Sequence, residues 1–190
     1  MAAREDPEDR LAVTSEPAVL ARLQGSDDGS LADVARQVSE LLIWPGHPRP
    51  LTETAVVPLS QEQQQLFARG AMLYTAGCVS CHQASGRGAP GLAPPLRRSE
   101  HVLAQDPRRL AAILLAGLDG PIVVRGQQWT GDMPALAGDD RDLAALLTYI
   151  RREWGHGAAP VSPDVMTETR EATSHREQPW TWAELERAFP

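Results

Sequence analysis

Apolar residues recur at helical spacing along most of the chain, and short turn-rich stretches separate the periodic segments. Ser15 with Pro17 predicts a short helix that stops at Gly25. Ser30 can cap a second helix, with Leu31, Val34, Ala35, Val38, Leu41 and Leu42 on one face. Ser60 and Gln63 form a capping-box pattern for a third, running to about Gly77, with Leu66, Phe67, Gly70, Leu73 and Tyr74 inward. A fourth spans about 107–117, with Pro107 in its first turn. A fifth covers about 140–154 and carries Leu143, Leu146, Leu147, Ile150 and Trp154. Ser162-Pro163 and Thr181 with Glu184 start two short helices near the C-terminus. Ile122-Val123-Val124 is strand-like but too short to build a sheet. The expected fold class is all-α.

Pro and Gly divide the chain. Trp44-Pro45-Gly46-His47-Pro48-Arg49-Pro50 marks a linker, residues 86–95 form a long loop, and residues 155–160 close the central region. The expected organisation is a helical extension (1–44), a linker (45–59), a central domain (60–157) and a C-terminal tail packing on that domain (158–190). Charge follows these divisions. Residues 1–59 hold ten acids and five Arg, a net of −5; residues 60–157 hold nine acids and ten Arg, a net of +1; residues 158–190 hold six acids and three Arg, a net of −3. Within the centre, residues 81–131 carry six Arg against three acids. An overall net charge of −7 argues against a nucleic-acid binder. The longest apolar run, residues 110–118, is nine long, whereas a membrane span needs about twenty. Residues 1–10 have no apolar core and make no signal peptide.

The two cysteines, Cys78 and Cys81, are too few for a disulfide-stapled scaffold or a four-cysteine zinc site. A thioredoxin-like role would need a βαβ context that the chain lacks. His82 follows directly, so Cys78-Val79-Ser80-Cys81-His82 is the attachment pentapeptide of a c-type haem. Two thiols three residues apart lie on one side of a helical turn and can add to the two vinyl groups of one porphyrin. The adjacent imidazole then reaches the iron as the proximal ligand.

A sixth ligand would come from elsewhere, and thioether sulfur and imidazole are the common choices. Met1 lies at the chain end, Met72 on the helix leading into the motif, and Met166 in the acidic tail. Met133 sits in Trp129-Thr130-Gly131-Asp132-Met133-Pro134-Ala135-Leu136, expected to be a loop between helices, where Pro134 biases Met133 away from the α region. Packing in a core is the commoner fate of a Met; with a haem to cover, Met133 is the expected ligand and His101 its rival. Pro94-Pro95-Leu96 would bring a carbonyl toward Nδ1 of His82 and fix its ring. Gly70 and Tyr74 are expected to face Leu146, Tyr149 and Ile150, with glycine permitting a close helix crossing. Trp129 is expected near the haem edge, its indole N–H toward a propionate.

On these residues the stretch from about 60 to 157 resembles a class I c-type cytochrome. The resemblance implies an all-α fold around one covalent haem c with His82 and Met133 on the iron, shuttling single electrons without turning over a substrate. Leu92-Ala93-Pro94-Pro95-Leu96, Gly120-Pro121-Ile122, Gly126 with Trp129, Met133-Pro134-Ala135-Leu136 and Thr148-Tyr149-Ile150-Arg151-Arg152-Glu153-Trp154-Gly155 are also similar to a narrower bacterial group. Its cytochrome domains follow a sorbosone/glucose dehydrogenase-like propeller and helical repeats. That likeness implies a fused dehydrogenase domain or a redox partner protein as donor, a downstream cytochrome or oxidase as acceptor, and a periplasmic or other extracytoplasmic location. Because haem attachment takes place outside the cytoplasm, the chain is expected to be a fragment or to start upstream of Met1. The alternative function is a haem enzyme or gas sensor with an open sixth iron position.

Overall fold

The computed structural model describes residues 11–26, 28–39, 42–43 and 57–190. Trp44-Pro45-Gly46 and the rest of the expected linker up to residue 56 lie outside the described residues, as do Met1 and the remainder of 1–10. The chain divides into two compact units, Met1–Thr54 and Ala55–Pro190.

In the first unit, β1 (Leu11–Ala12) precedes α1 (Ala18–Gln24) and α2 (Gly29–Ser39), and β2 (Leu42–Ile43) then pairs with β1 in parallel. Two expectations need correction. Ser30 does not cap α2; Asp28 does, its Oδ1 accepting from the backbone N–H of Ser30 at 3.0 Å and of Leu31 at 3.3 Å. Asp is among the strongest capping residues, and it precedes Ser30 at the first free N–H groups. Leu31, Val34 and Val38 are also not inward but exposed, while Ala32 and Ala35 are buried. The small side chains let α2 pack close to α1, and that turns the larger ones outward.

The second unit begins with α3 (Gln61–Gly77), whose capping box forms: Ser60 accepts from the Gln63 N–H and Gln63 accepts from the Ser60 N–H. Next come α4 (Val79–His82), α5 (Glu100–Leu103) and α6 (Arg108–Ala116). Strands β3 (Pro121–Val124) and β4 (Gln127–Thr130) follow, then α7 (Asp140–Arg152), α8 (Pro163–Ala172) and α9 (Trp182–Ala188). The fold is the mostly helical class I cytochrome c type.

Ile122-Val123-Val124 does build a sheet, pairing antiparallel with β4 in a two-stranded hairpin. Arg125 (φ 53°) and Gly126 (φ 73°) make its turn. Two consecutive positive-φ residues match the right-handed twist of a hairpin. The Glu100 carboxylate accepts from the Arg125 N–H at 2.9 and 3.0 Å, anchoring an Arg in a conformation arginines rarely adopt.

The main core gathers Tyr74, Val102, Ala111, Leu114, Leu143, Leu146, Leu147, Ile150, Val161 and Met166. At its centre α3 crosses α7. A Cβ on Gly70 would stand 2.0 Å from the Ala145 carbonyl oxygen and 2.7 Å from Cβ of Tyr149. Tyr149 also stacks on Phe67 and Tyr74, with ring centroids 5.2 and 5.3 Å apart. Arg151 is 1% exposed. It donates to the carbonyls of Val102 and Ala104, both at 2.7 Å, and of Ala159 at 2.9 Å, tying α5 and the chain after α7 to one guanidinium.

The crossing sets up a paired test. Gly70→Ala forces two backbones apart and is expected to destabilise the holo-protein by at least about 2 kcal/mol in urea unfolding. Gly77, on the same helix, has nothing within 4 Å of its added Cβ. Gly77→Ala is expected to be neutral or to stabilise by up to about 1 kcal/mol.

Candidate haem site

Helix α3 delivers its last turn straight into the pentapeptide. Cys78 ends α3, its N–H donating to Tyr74 O at 2.9 Å, and also starts α4. The His82 N–H donates back to Cys78 O at 2.9 Å, so thiols and imidazole share one helical turn. Both cysteines are free and half-buried. Burial pushes the Cys78 thiol up to about 11, keeping it protonated. The chain leaves the turn at Gln83 (φ 60°), whose carbonyl accepts from the Tyr74 hydroxyl at 2.7 Å.

The following loop folds back on itself. Gly86 O accepts from the N–H groups of Leu96 and Arg97 at 2.8 and 2.9 Å, and the Gly88 N–H donates to His82 O at 3.1 Å. Gly88 (φ +70°) lies so close to residues 93–94 that a Cβ would stand 2.3 Å from Ala93 O and 2.7 Å from Pro94 O. This approach leaves the Pro94 carbonyl oxygen 3.0 Å from Nδ1 of His82. A carbonyl only accepts, so Nδ1 carries the proton and Nε2 of the neutral ring keeps its lone pair for a metal. Burial of His82 lowers its pKa and favours that neutral form.

His82, both thiols, Pro94, Trp129 and Met133 all line one cleft of about 1200 Å³, measured with its open mouth. Leu96, Leu110, Leu114, Leu147 and Ile150 supply apolar wall. Met133 is not in a free loop. Its N–H donates to Leu118 O at 2.8 Å and its carbonyl accepts from the Leu118 N–H at 2.9 Å. Trp129 likewise belongs to β4, paired across the hairpin with Ile122. Its indole Nε1 is buried without a partner among the described residues. His101 reaches the cleft, but its Nε2–H donates to Val123 O at 2.7 Å and its ring lies 4.1 Å from that of Trp182. Met72 is exposed, and Met166 is fully buried in the core instead of lying on an acidic surface.

The donor set fits a covalent haem. Two protonated thiols, an imidazole with its outer nitrogen free, a thioether and an apolar wall meet in one cleft, with a buried N–H lacking an acceptor.

Sequence reasoning passed over His156. Its Nδ1–H donates to Ile150 O at 2.9 Å, and its Nε2 accepts from the Arg98 N–H at 2.9 Å. It thereby holds the chain after Pro94-Pro95-Leu96 against the end of α7. Beside it Trp154 (φ 55°) donates from Nε1 to Ala84 O at 3.0 Å and covers Gly86, where a Cβ would stand 2.6 Å from the indole. Gly155-His156-Gly157, just past a predicted helix end, was the available sign of this bracket.

Fold and cleft together define a small c-type haem protein built to carry electrons. The cytochrome c family model matches residues 67–154. Cytochrome c-552 of Thermus thermophilus is 41% identical over 92 residues, which cover 46% of this chain and 70% of that protein. For a second cytochrome c-552 of the same species, from another strain, the identity is again 41% over 92 residues, covering 62% of its length. The fructose dehydrogenase cytochrome subunit of Gluconobacter japonicus is 32% identical over 114 residues, 53% of this chain and 22% of the subunit. The chain belongs to the cytochrome c family, whose members transfer electrons through covalently bound haem c.

The His156 bracket has a pH consequence. Burial and the nearby guanidinium groups lower its folded-state pKa below the ordinary 6.5. The unfolded chain therefore binds this proton first as pH falls, so stability is complete above about pH 6.5 and declines below it. A glutamine can donate to Ile150 and accept from Arg98 without titrating. His156→Gln is expected to flatten the fall in urea midpoint between pH 7 and pH 5; an unchanged slope would assign the pH dependence to other groups.

Proposed function

We propose that this chain carries single electrons through one haem c whose iron is ligated by His82 and Met133, and that it works in the periplasm or another extracytoplasmic space. The observation that carries the ligand assignment is the single cleft lined by His82, its Nδ1 turned to Pro94 O, and by Met133, its backbone paired on both sides to Leu118. When bound, the haem supplies a one-electron ferric/ferrous couple whose potential thioether ligation raises. Pro94 fixes the plane and tautomer of the His82 ring. Trp129 supplies an N–H for a propionate. His101 is the weaker candidate ligand because its Nε2–H is already given to Val123. A filled sixth position also argues against the alternative of a haem enzyme or gas sensor.

For the donor we favour a dehydrogenase, either a domain of the same longer chain or a separate partner, with a downstream cytochrome or oxidase as acceptor. Similarity to a fructose dehydrogenase cytochrome subunit supports this. Among the described residues no helix is long and apolar enough to cross a membrane.

Two substitutions test the assignment. Met133→Ala is expected to lower the midpoint potential by on the order of 0.1 V, a fraction of the ~0.8 V that axial ligands span. It should also confer rapid CO binding on the ferrous protein. Met72→Ala is expected to change neither property, and Met166→Ala to cost about 2–5 kcal/mol of stability while leaving CO binding slow. A Met133→Ala protein with unaltered potential and CO binding would overturn the assignment.

Trp129→Phe is expected to keep the haem attached and to shift the midpoint potential modestly, because a buried N–H beside a carboxylate is lost. Spectroelectrochemical titration reads this directly; an unshifted potential would remove Trp129 from the site.

A further inference from the structure

The matched family residues end at Trp154, and the chain continues through α8 and α9. Between those helices it runs along the strip that holds Met133. The Trp180 N–H donates to Gly117 O at 3.0 Å, and Trp180 O accepts from the Asp119 N–H at 2.7 Å. Leu118 therefore lies between two backbone neighbours, bridged antiparallel to Met133 and parallel to Trp180. Gly117 (φ +84°) allows this stacking, since a Cβ there would stand 2.6 Å from Met133 O.

Side chains complete the clamp. Trp180 is 5% exposed and clusters with Ala112, Ile113, Leu185 and Phe189. Met133 packs against both this cluster and the main core. From outside, the Arg176 guanidinium lies 4.1 Å over the Trp180 ring and forms a two-pronged pair with Glu184 at 2.6 and 3.1 Å. Arg176 also donates to the carbonyls of Gln178 and Pro179, both at 2.7 Å. Arg109 Nε donates to Phe189 O at 2.6 Å, fixing the far end of α9 to α6.

We infer that the C-terminal segment is a brace for the sixth iron ligand, with Trp180 the positioning residue that acts on Met133 through Leu118. The inference rests on Met133 being that ligand. A methionine side chain is flexible, so its hold on a metal depends on how firmly its backbone is placed. A ligand-bearing segment paired along one edge opens by local unfolding at low cost. The Leu118 strip is paired along both edges, so freeing Met133 means disturbing the Trp180 cluster as well. The brace thus sets how often the sixth position opens.

The test uses the full holo-chain and reads the CO association rate of the ferrous protein and the far-red sulfur-to-iron band of the ferric protein. Trp180→Ala is expected to bind CO about tenfold faster, as for a local opening made easier, and to weaken the far-red band. Haem attachment and far-ultraviolet circular dichroism should stay as in the parent. Trp180→Phe should restore both signals, since the Trp180 Nε1–H has no partner among the described residues and phenylalanine keeps a ring in place. A Trp180→Ala protein with a lower melting temperature but unchanged CO rate and band would reduce the segment to plain stabilisation and overturn the brace. Should Trp180→Ala fail to fold, Arg176→Gln replaces it: a smaller acceleration supports the brace and an unchanged rate overturns it. Met133→Ala separates the two levels. If it leaves band and CO rate untouched, the ligand assignment falls and the brace with it; if it frees the sixth position while Trp180→Ala does not, the brace alone falls.

Discussion

Gly70 and Ala145 bring α3 and α7 into backbone contact, a distance that no side chain larger than hydrogen would permit. The consequences run through the whole cytochrome unit. Helix α3 ends in Cys78, Cys81 and His82, while α7 presents Leu147 and Ile150 to the cleft wall. The closeness of the crossing therefore fixes how far the proximal turn stands from its apolar backing. Phe67, Tyr74, Tyr149 and Trp154 fill the wedge on either side of the glycine. The Tyr74 hydroxyl bonds to Gln83 O, which carries the constraint past the pentapeptide into the loop behind His82.

That loop is held by polar groups buried within the fold. Arg151 satisfies three carbonyls and His156 joins α7 to Arg98. A buried guanidinium loses its hydration, and here carbonyl dipoles replace the lost water without a carboxylate at contact distance. Burial lowers the Arg151 pKa, while the Asp106 charge works in the opposite direction. Because α5, the loop after Pro94 and the chain beyond α7 converge on these two side chains, the proximal wall behaves as one piece.

How much was legible in the sequence depended on how local each determinant is. The capping boxes of α3 and α9, the attachment pentapeptide and the small residue at the helix crossing are short patterns with one dominant reading. The Pro94 carbonyl could be placed near His82 because only twelve residues separate them. Other features needed partners from distant segments. The inward face of α2 was misread because periodicity marks an apolar face but does not show whether its neighbour prefers Leu or Ala. The hairpin was missed because Arg125-Gly126 is a weak turn signal until the Glu100 carboxylate, far away in sequence, steadies the Arg125 N–H. Met166 looked like part of an acidic tail, yet α8 turns that one position fully inward. The pairing of Trp180 with Gly117 and Asp119 leaves no mark in composition or periodicity.

This asymmetry bears on how a potential can be tuned in such a chain. The proximal side is built within one helical turn and a short loop, so its geometry forms as soon as α3 and α4 form. The opposite ligand, if it is Met133, lies 51 residues after His82 and reaches its place only when α6, the hairpin and the C-terminal segment have docked. Local structure resists change because it needs few partners. Non-local structure has graded stability, since each docked segment adds its own increment. Changes in potential and in access to the iron should therefore arise mainly on the Met133 side, from residues such as Leu118 and Gly117 that touch neither cysteine nor His82.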